Sequence, residues 1–181
     1  MVTIQNFDID DFLQNYWQQC PLLIRGAFPQ VESLISGDDL AGLAMEPKVE
    51  SRIISLDRSN EQWSLKNGPF DDSIWSTLGE EDWTLLVQAV DHWDDDMESL
   101  RNAFSFLPSW RIDDIMVSFA TKGGGVGPHF DQYDVFLIQG EGRREWKIGQ
   151  LCNDESELIE NLPVKVLSSF DEQETWVLEP G

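Results

Sequence analysis

Apolar residues recur at helical spacing near the start of the chain. Phe12, Leu13, Tyr16 and Trp17 form one stripe, and Asp8 or Asp10 is placed to cap it. Pro21 ends that helix, and Leu22-Leu23-Ile24 reads as a short buried strand before Gly26. Ser36 to Met45 predicts a second capped helix, closed by Pro47. Residues 50–56 and 61–66 read as two strands around the polar turn Asp57-Arg58-Ser59-Asn60. From Asp82 to Leu107 the pattern predicts helix, with a break near Asp94-Asp95-Asp96 and a stop at Pro108.

The character changes after Trp110. Ile115, Val117 and Phe119 alternate with Met116, Ser118 and Ala120, which predicts a strand. A glycine-rich loop follows, Gly123 to Gly127, and then a second strand from Pro128 to Gln139. Gly140-Glu141-Gly142 makes a tight turn, and Arg143 to Ile148 a returning strand. An acidic connection over 153–160 leads to strands at Val164–Leu167 and Thr175–Leu178. The expected fold class is therefore α+β: helices and small strands over 1–109, then consecutive antiparallel barrel-type strands over 110–181.

Composition narrows what such a domain can do. A chain of 181 residues with 41% hydrophobic content suits one domain with its own core, and eight tryptophans are expected in cores or interfaces. Thirty-four acids against twelve bases give a net charge of −22. Phosphate backbones are bound through Lys and Arg, so direct nucleic-acid binding is disfavoured. The acidic surface suits a basic protein partner, or serves solubility alone. Cys20 and Cys152 make neither a disulfide framework nor a zinc cluster. The first residues lack the basic and apolar regions of a signal peptide, and no stretch approaches the roughly eighteen apolar residues of a membrane span. These features point to a cytoplasmic protein.

The sharpest chemical feature is His129-Phe130-Asp131. On a strand, residues i and i+2 project from one face, so imidazole and carboxylate would stand side by side. That is the arrangement of two ligands of a facial metal triad. The competing reading is a hydrogen-bonded structural histidine, since an acidic chain produces such a tripeptide by accident. The glycine-rich loop allows backbone to approach a ligand closely, although such loops are also ordinary turns. Arg143 and Arg144 follow on the next strand. A buried arginine there suits the distal carboxylate of a dicarboxylic acid, or a salt bridge to one of the many acids.

The run from Trp110 to Phe119, and Gly123-Gly124-Gly125-Val126-Gly127-Pro128-His129-Phe130-Asp131-Gln132-Tyr133-Asp134-Val135-Phe136 after it, resembles the bacterial Jumonji-C ribosomal oxygenases. Leu40 to Glu46 and Trp83 to Val90 are similar to that family as well, so the resemblance spans nearly the whole chain. It implies a Jumonji-C/cupin fold with an incomplete double-stranded β-helix. It also implies an Fe(II)- and 2-oxoglutarate-dependent hydroxylase that uses O2 and acts on an arginine of a basic ribosomal protein. By the same resemblance His129 and Asp131 would ligate iron. Arg144, assisted by Ser118, would bind the 5-carboxylate of 2-oxoglutarate, and Tyr133 would lie near the substrate entrance.

One departure qualifies this. The family's triad takes a second histidine from a later strand, after a turn of the type at Glu179-Pro180-Gly181, where this sequence ends. The remaining histidine, His92, lies in a stretch read as helical and is expected to be structural. The chain is therefore expected to be truncated and weak or inactive as it stands, with exposed strand edges that favour self-association. Two rival readings stay open: a non-enzymatic cupin-like interaction fragment with a relic metal site, and a metal-dependent cupin of another type. The position of Arg144 and the lack of a His-rich motif argue against the last.

Overall fold

A computed structural model describes residues 2–181. The first helix, α1 (Ile9–Asn15), starts where the Asp8 carboxylate accepts the Asp11 backbone N–H, and it buries Phe12. The second, α2 (Gly37–Leu43), is opened by a capping box between Ser36 and Asp39 and buries Leu40. Strands β1 (Ser51–Asp57) and β2 (Gln62–Asn67) form an antiparallel hairpin, as the alternation predicts. Its turn is held by Asp57, whose carboxylate accepts both the backbone N–H and the hydroxyl of Ser59.

The stretch predicted as helix from Asp82 begins instead with a strand, β3 (Trp83–Val87). It pairs with β1 on one side and β4 (Val117–Ala120) on the other, so the sheet order is β2-β1-β3-β4. Residues 84–87 of β3 are all buried, which removes the period-two alternation that would have marked a strand. Ala89 then turns the chain in the left-handed region, and α3 (Asp95–Asn102) begins at the Asp94 cap, where a break was expected. One face of the sheet packs on the helices through Leu40, Ala44, Ile53, Leu85, Val87, Val90, Met97, Leu100 and Phe104. Each such burial contributes about 1.5–3 kcal/mol relative to exposure.

The second half departs further. Residues 128–139 enter no strand ladder. Strand β5 (Arg144–Ile148) pairs with β6 (Glu174–Leu178), not with the segment before it, with Trp146 opposite Trp176. Val164–Leu167 contributes only an isolated bridge between Leu167 and Leu158, and Leu22–Ile24 is irregular. In each case an apolar strand pattern is present, as alternation or as a short continuous run, but a strand forms only where a neighbouring backbone supplies its hydrogen bonds. The architecture is α+β with two antiparallel sheets, as expected, and the four-stranded sheet draws β4 from beyond residue 109. Among the described residues no helix is long and apolar enough to cross a membrane.

Candidate metal centre

The loop after β4 is fixed before the chemistry begins. Gly124 lies against β3, where a Cβ would come within 2.2 Å of the Trp83 carbonyl oxygen, so only glycine fits. Arg58 reaches across from the β1–β2 turn, donating to Asp82 at 2.7 Å and to the Gly123 carbonyl at 3.0 Å. Gly127 takes a positive φ of 78° beside Trp63 and Val166. The Leu167 backbone N–H donates to the Pro128 carbonyl at 2.8 Å and holds the next step of the chain.

From that base the structure brings His129 and Asp131 together, with Nε2 of the ring 3.9 Å from Oδ2 of the carboxylate. Nδ1 of His129 lies 2.9 Å from the Gly127 carbonyl oxygen. A carbonyl only accepts, so Nδ1 carries the hydrogen and Nε2 presents its lone pair on the side of Asp131. Both side chains are reachable, at 37% and 39% exposure. An imidazole nitrogen beside a carboxylate oxygen is a donor pair that suits Fe(II), so the residues present fit two of that metal's ligands. Among the described residues no cluster of three or more His, Cys, Asp or Glu is arranged to hold a metal. His92 is elsewhere, next to the buried Asp91.

Arg144 and Ser118 also meet, although they stand on different sheets. The guanidinium Nη1 donates to the Ser118 hydroxyl at 3.1 Å and lies over the Trp146 ring at 5.8 Å. Arg144 is half-buried, and burial pulls its guanidinium below its ordinary value. No carboxylate among the described residues pairs with it. Arg143 is exposed. Tyr133 is 74% exposed. The Asp131 carboxylate, followed by partial burial and then Asp114, holds its hydroxyl above the ordinary value, while Arg52 pulls the other way. Asp114 is itself gripped by Gln88, whose amide donates to both carboxylate oxygens at 3.1 and 2.9 Å. Sequence reasoning passed over Gln88 and the Gly127 carbonyl. A glycine two residues before the histidine was the available signal for the second.

Residues 99–181 match the JmjC domain family. The chain is similar to bacterial ribosomal oxygenases, as the sequence predicts. It is 45% identical over 174 residues to the Escherichia coli (strain K12) ribosomal protein uL16 3-hydroxylase, covering 94% of this chain and 44% of that protein. It is 37% identical over 161 residues to a probable ribosomal oxygenase of Haemophilus influenzae, covering 89% of this chain and 39% of the relative. The chain thus spans less than half the length of either. An X-ray structure of E. coli YcfD matches with a TM-score of 0.91 at 42% identity, over 99% of this chain and 46% of that one. A second YcfD structure, a complex with cobalt and 2-oxoglutarate, matches with a TM-score of 0.86 at 41% identity, over 100% and 45%. The partial jelly-roll of this chain is the JmjC/cupin fold.

Proposed function

We propose that the protein is an Fe(II)- and 2-oxoglutarate-dependent hydroxylase whose acceptor is an arginine of a basic ribosomal protein. The observation that carries this is Arg144. In a chain with 34 acids and 12 bases, a half-buried guanidinium paired with none of them is kept for an anion from outside. When bound, iron with 2-oxoglutarate and O2 supplies the power to hydroxylate an unactivated carbon, as the cosubstrate is decarboxylated to succinate.

The chain's own residues do the rest. His129 Nε2 and an Asp131 oxygen hold the metal, and the Gly127 carbonyl keeps the ring in the ligating tautomer. Arg144 takes the distal carboxylate of the cosubstrate. Ser118 accepts from Arg144, so its own hydroxyl hydrogen is free to donate to the same carboxylate. Tyr133 presents an exposed ring in the field of Asp131, Asp114 and Asp113, a setting that attracts a cationic side chain and lets a planar guanidinium stack. The net charge of −22 steers a basic protein to the surface, and that steering acts on encounter, not on the bond-making step.

With two donors brought together among the described residues, metal affinity and turnover of these 181 residues by themselves are expected to be low. That donor count is also the observation that favours the rival reading, a non-enzymatic interaction fragment with a relic site. Calorimetric titration of Mn(II) in the presence of 2-oxoglutarate separates the two. Binding by the native chain that is lost in His129→Ala supports the hydroxylase. Equal or absent binding in both sinks it for this chain and leaves the relic site.

A further inference from the structure

Among the described residues the segment that carries the dyad pairs with no strand, and loop and side-chain contacts seat it in this structure. At its start Pro128 is tied by Leu167, and at its end the Gln139 carbonyl accepts from the Gly181 N–H at 2.9 Å. Between them residues 131–137 all reach solvent, Tyr133 most at 74% and Phe136 least of the apolar ones at 38%. Asp134, Phe136 and Ile138 nevertheless make contacts that tie the segment down. Asp134 accepts from the Gln18 amide at 2.9 Å, and Ile138 packs on the core.

Phe136 makes the largest of these contacts. Its ring centroid lies 4.6 Å from Phe104 and 5.9 Å from Phe12, stacks on Trp17 at 5.9 Å and 18°, and meets Phe106 edge-on at 6.4 Å. Phe12 and Phe104 are 8% exposed, so the socket belongs to the rigid core. Arg111 lies over the Trp17 ring at 5.6 Å and extends the stack outward. A segment fixed at Pro128 and loose beyond it would swing, and ligands must be held within about 0.5 Å to serve a metal.

We infer that Phe136 is a positioning residue for the metal dyad: seated in the Phe12–Trp17–Phe104–Phe106 socket, with Asp134–Gln18 as a second pin, it anchors the segment that presents His129 and Asp131. This rests on the reading of His129 and Asp131 as metal ligands. Aromatic pairs of this kind contribute beyond simple area burial, which makes the socket a specific seat and not merely a greasy one.

The test is Mn(II) titration with 2-oxoglutarate on the native chain, Phe136→Ala, Phe136→Leu and His129→Ala, with the Co(II) visible spectrum recorded at saturation. Phe136→Ala is expected to weaken Mn(II) binding about tenfold, the effect typical of residues that orient ligands. It should also change the Co(II) spectrum, which a variant that is only less stable would not do. Phe136→Leu should restore most of the affinity. If Phe136→Ala folds and binds within twofold of the native chain with an unchanged spectrum, while His129→Ala loses binding, this inference alone falls. If the native chain binds no better than His129→Ala, the metal reading falls and takes the inference with it. Should Phe136→Ala fail to fold, Gln18→Ala cuts the exposed pin without touching the socket. A weaker Mn(II) affinity there sustains the inference, and an unchanged one overturns it.

Discussion

Two adjacent glycines in the loop before the dyad should respond in opposite directions to the same substitution. At Gly124 an added Cβ would stand 2.2 Å from the Trp83 carbonyl oxygen, 2.9 Å from its carbon and 3.0 Å from the Thr121 oxygen. All three are backbone atoms, so no rotamer change relieves the clash and the loop must lift off β3. Lifting breaks a local set of hydrogen bonds: Gly124 N–H to Thr121 O at 2.9 Å, Thr121 N–H to Trp83 O at 3.1 Å, and the Thr121 hydroxyl to Trp83 O at 3.1 Å. At about 0.5–1.5 kcal/mol each, Gly124→Ala should cost about 3 kcal/mol. For a chain of this size that lowers Tm by about 10 °C. At Gly125 nothing lies within 4 Å of the same atom and φ is outside the left-handed region. Gly125→Ala should therefore be neutral or stabilise by up to about 1 kcal/mol, through a less disordered unfolded state. Thermal unfolding followed by circular dichroism compares the two. Equal effects, or a Gly124→Ala loss below about 0.5 kcal/mol, would refute the claim that the loop is clamped to β3.

Other outcomes follow from the same geometry. Thr84 is 2% exposed and its hydroxyl has no partner, so Thr84→Val should stabilise by about 1 kcal/mol in urea unfolding; a loss would mean the hydroxyl is satisfied. Asp91 accepts from the Ile115 N–H at 2.8 Å and lies 3.3 Å from the Arg101 guanidinium, which is not aimed to donate to it. Asp91→Ala strands both groups and should cost about 3 kcal/mol, read by the same urea assay. The Ser36 hydroxyl, then its backbone N–H, hold the Asp39 carboxyl below its ordinary value. A carboxyl lowered in the fold stabilises fully above the ordinary carboxylate range, and that support is lost as pH falls through the lowered value. NMR titration should show Asp39 titrating below 3.8 and moving back up in Ser36→Ala; a native titration at or above 3.8 would contradict the capping box.

What was legible in the sequence was local. The caps at Asp8 and Ser36, the break near Asp94, the β1–β2 hairpin and the adjacency of His129 and Asp131 all depend on residues within a few positions of one another. What was misread depends on partners far away. β3 lies buried between two neighbours, so its run Trp83-Thr84-Leu85-Leu86-Val87 loses its period and resembles a helix face. Residues 128–139 have the alternation of a strand but not the neighbour. The Arg144–Ser118 contact spans 26 positions and the Gln18–Asp134 contact 116, distances at which no periodicity carries information.

The Arg144–Ser118 bond crosses from β5 to β4, and so from the smaller sheet to the larger. A dicarboxylate seated on that pair would act as a rivet between two blocks that otherwise share no ladder. At a hundred times its dissociation constant such a ligand adds about 2.7 kcal/mol to any melting event that requires both blocks intact. Without it, scanning calorimetry should resolve the small sheet melting ahead of the large one; with it, the two events should merge. On the proposed function, the dicarboxylate would then be a fastener as well as a reactant, and the protein's lifetime would follow its supply.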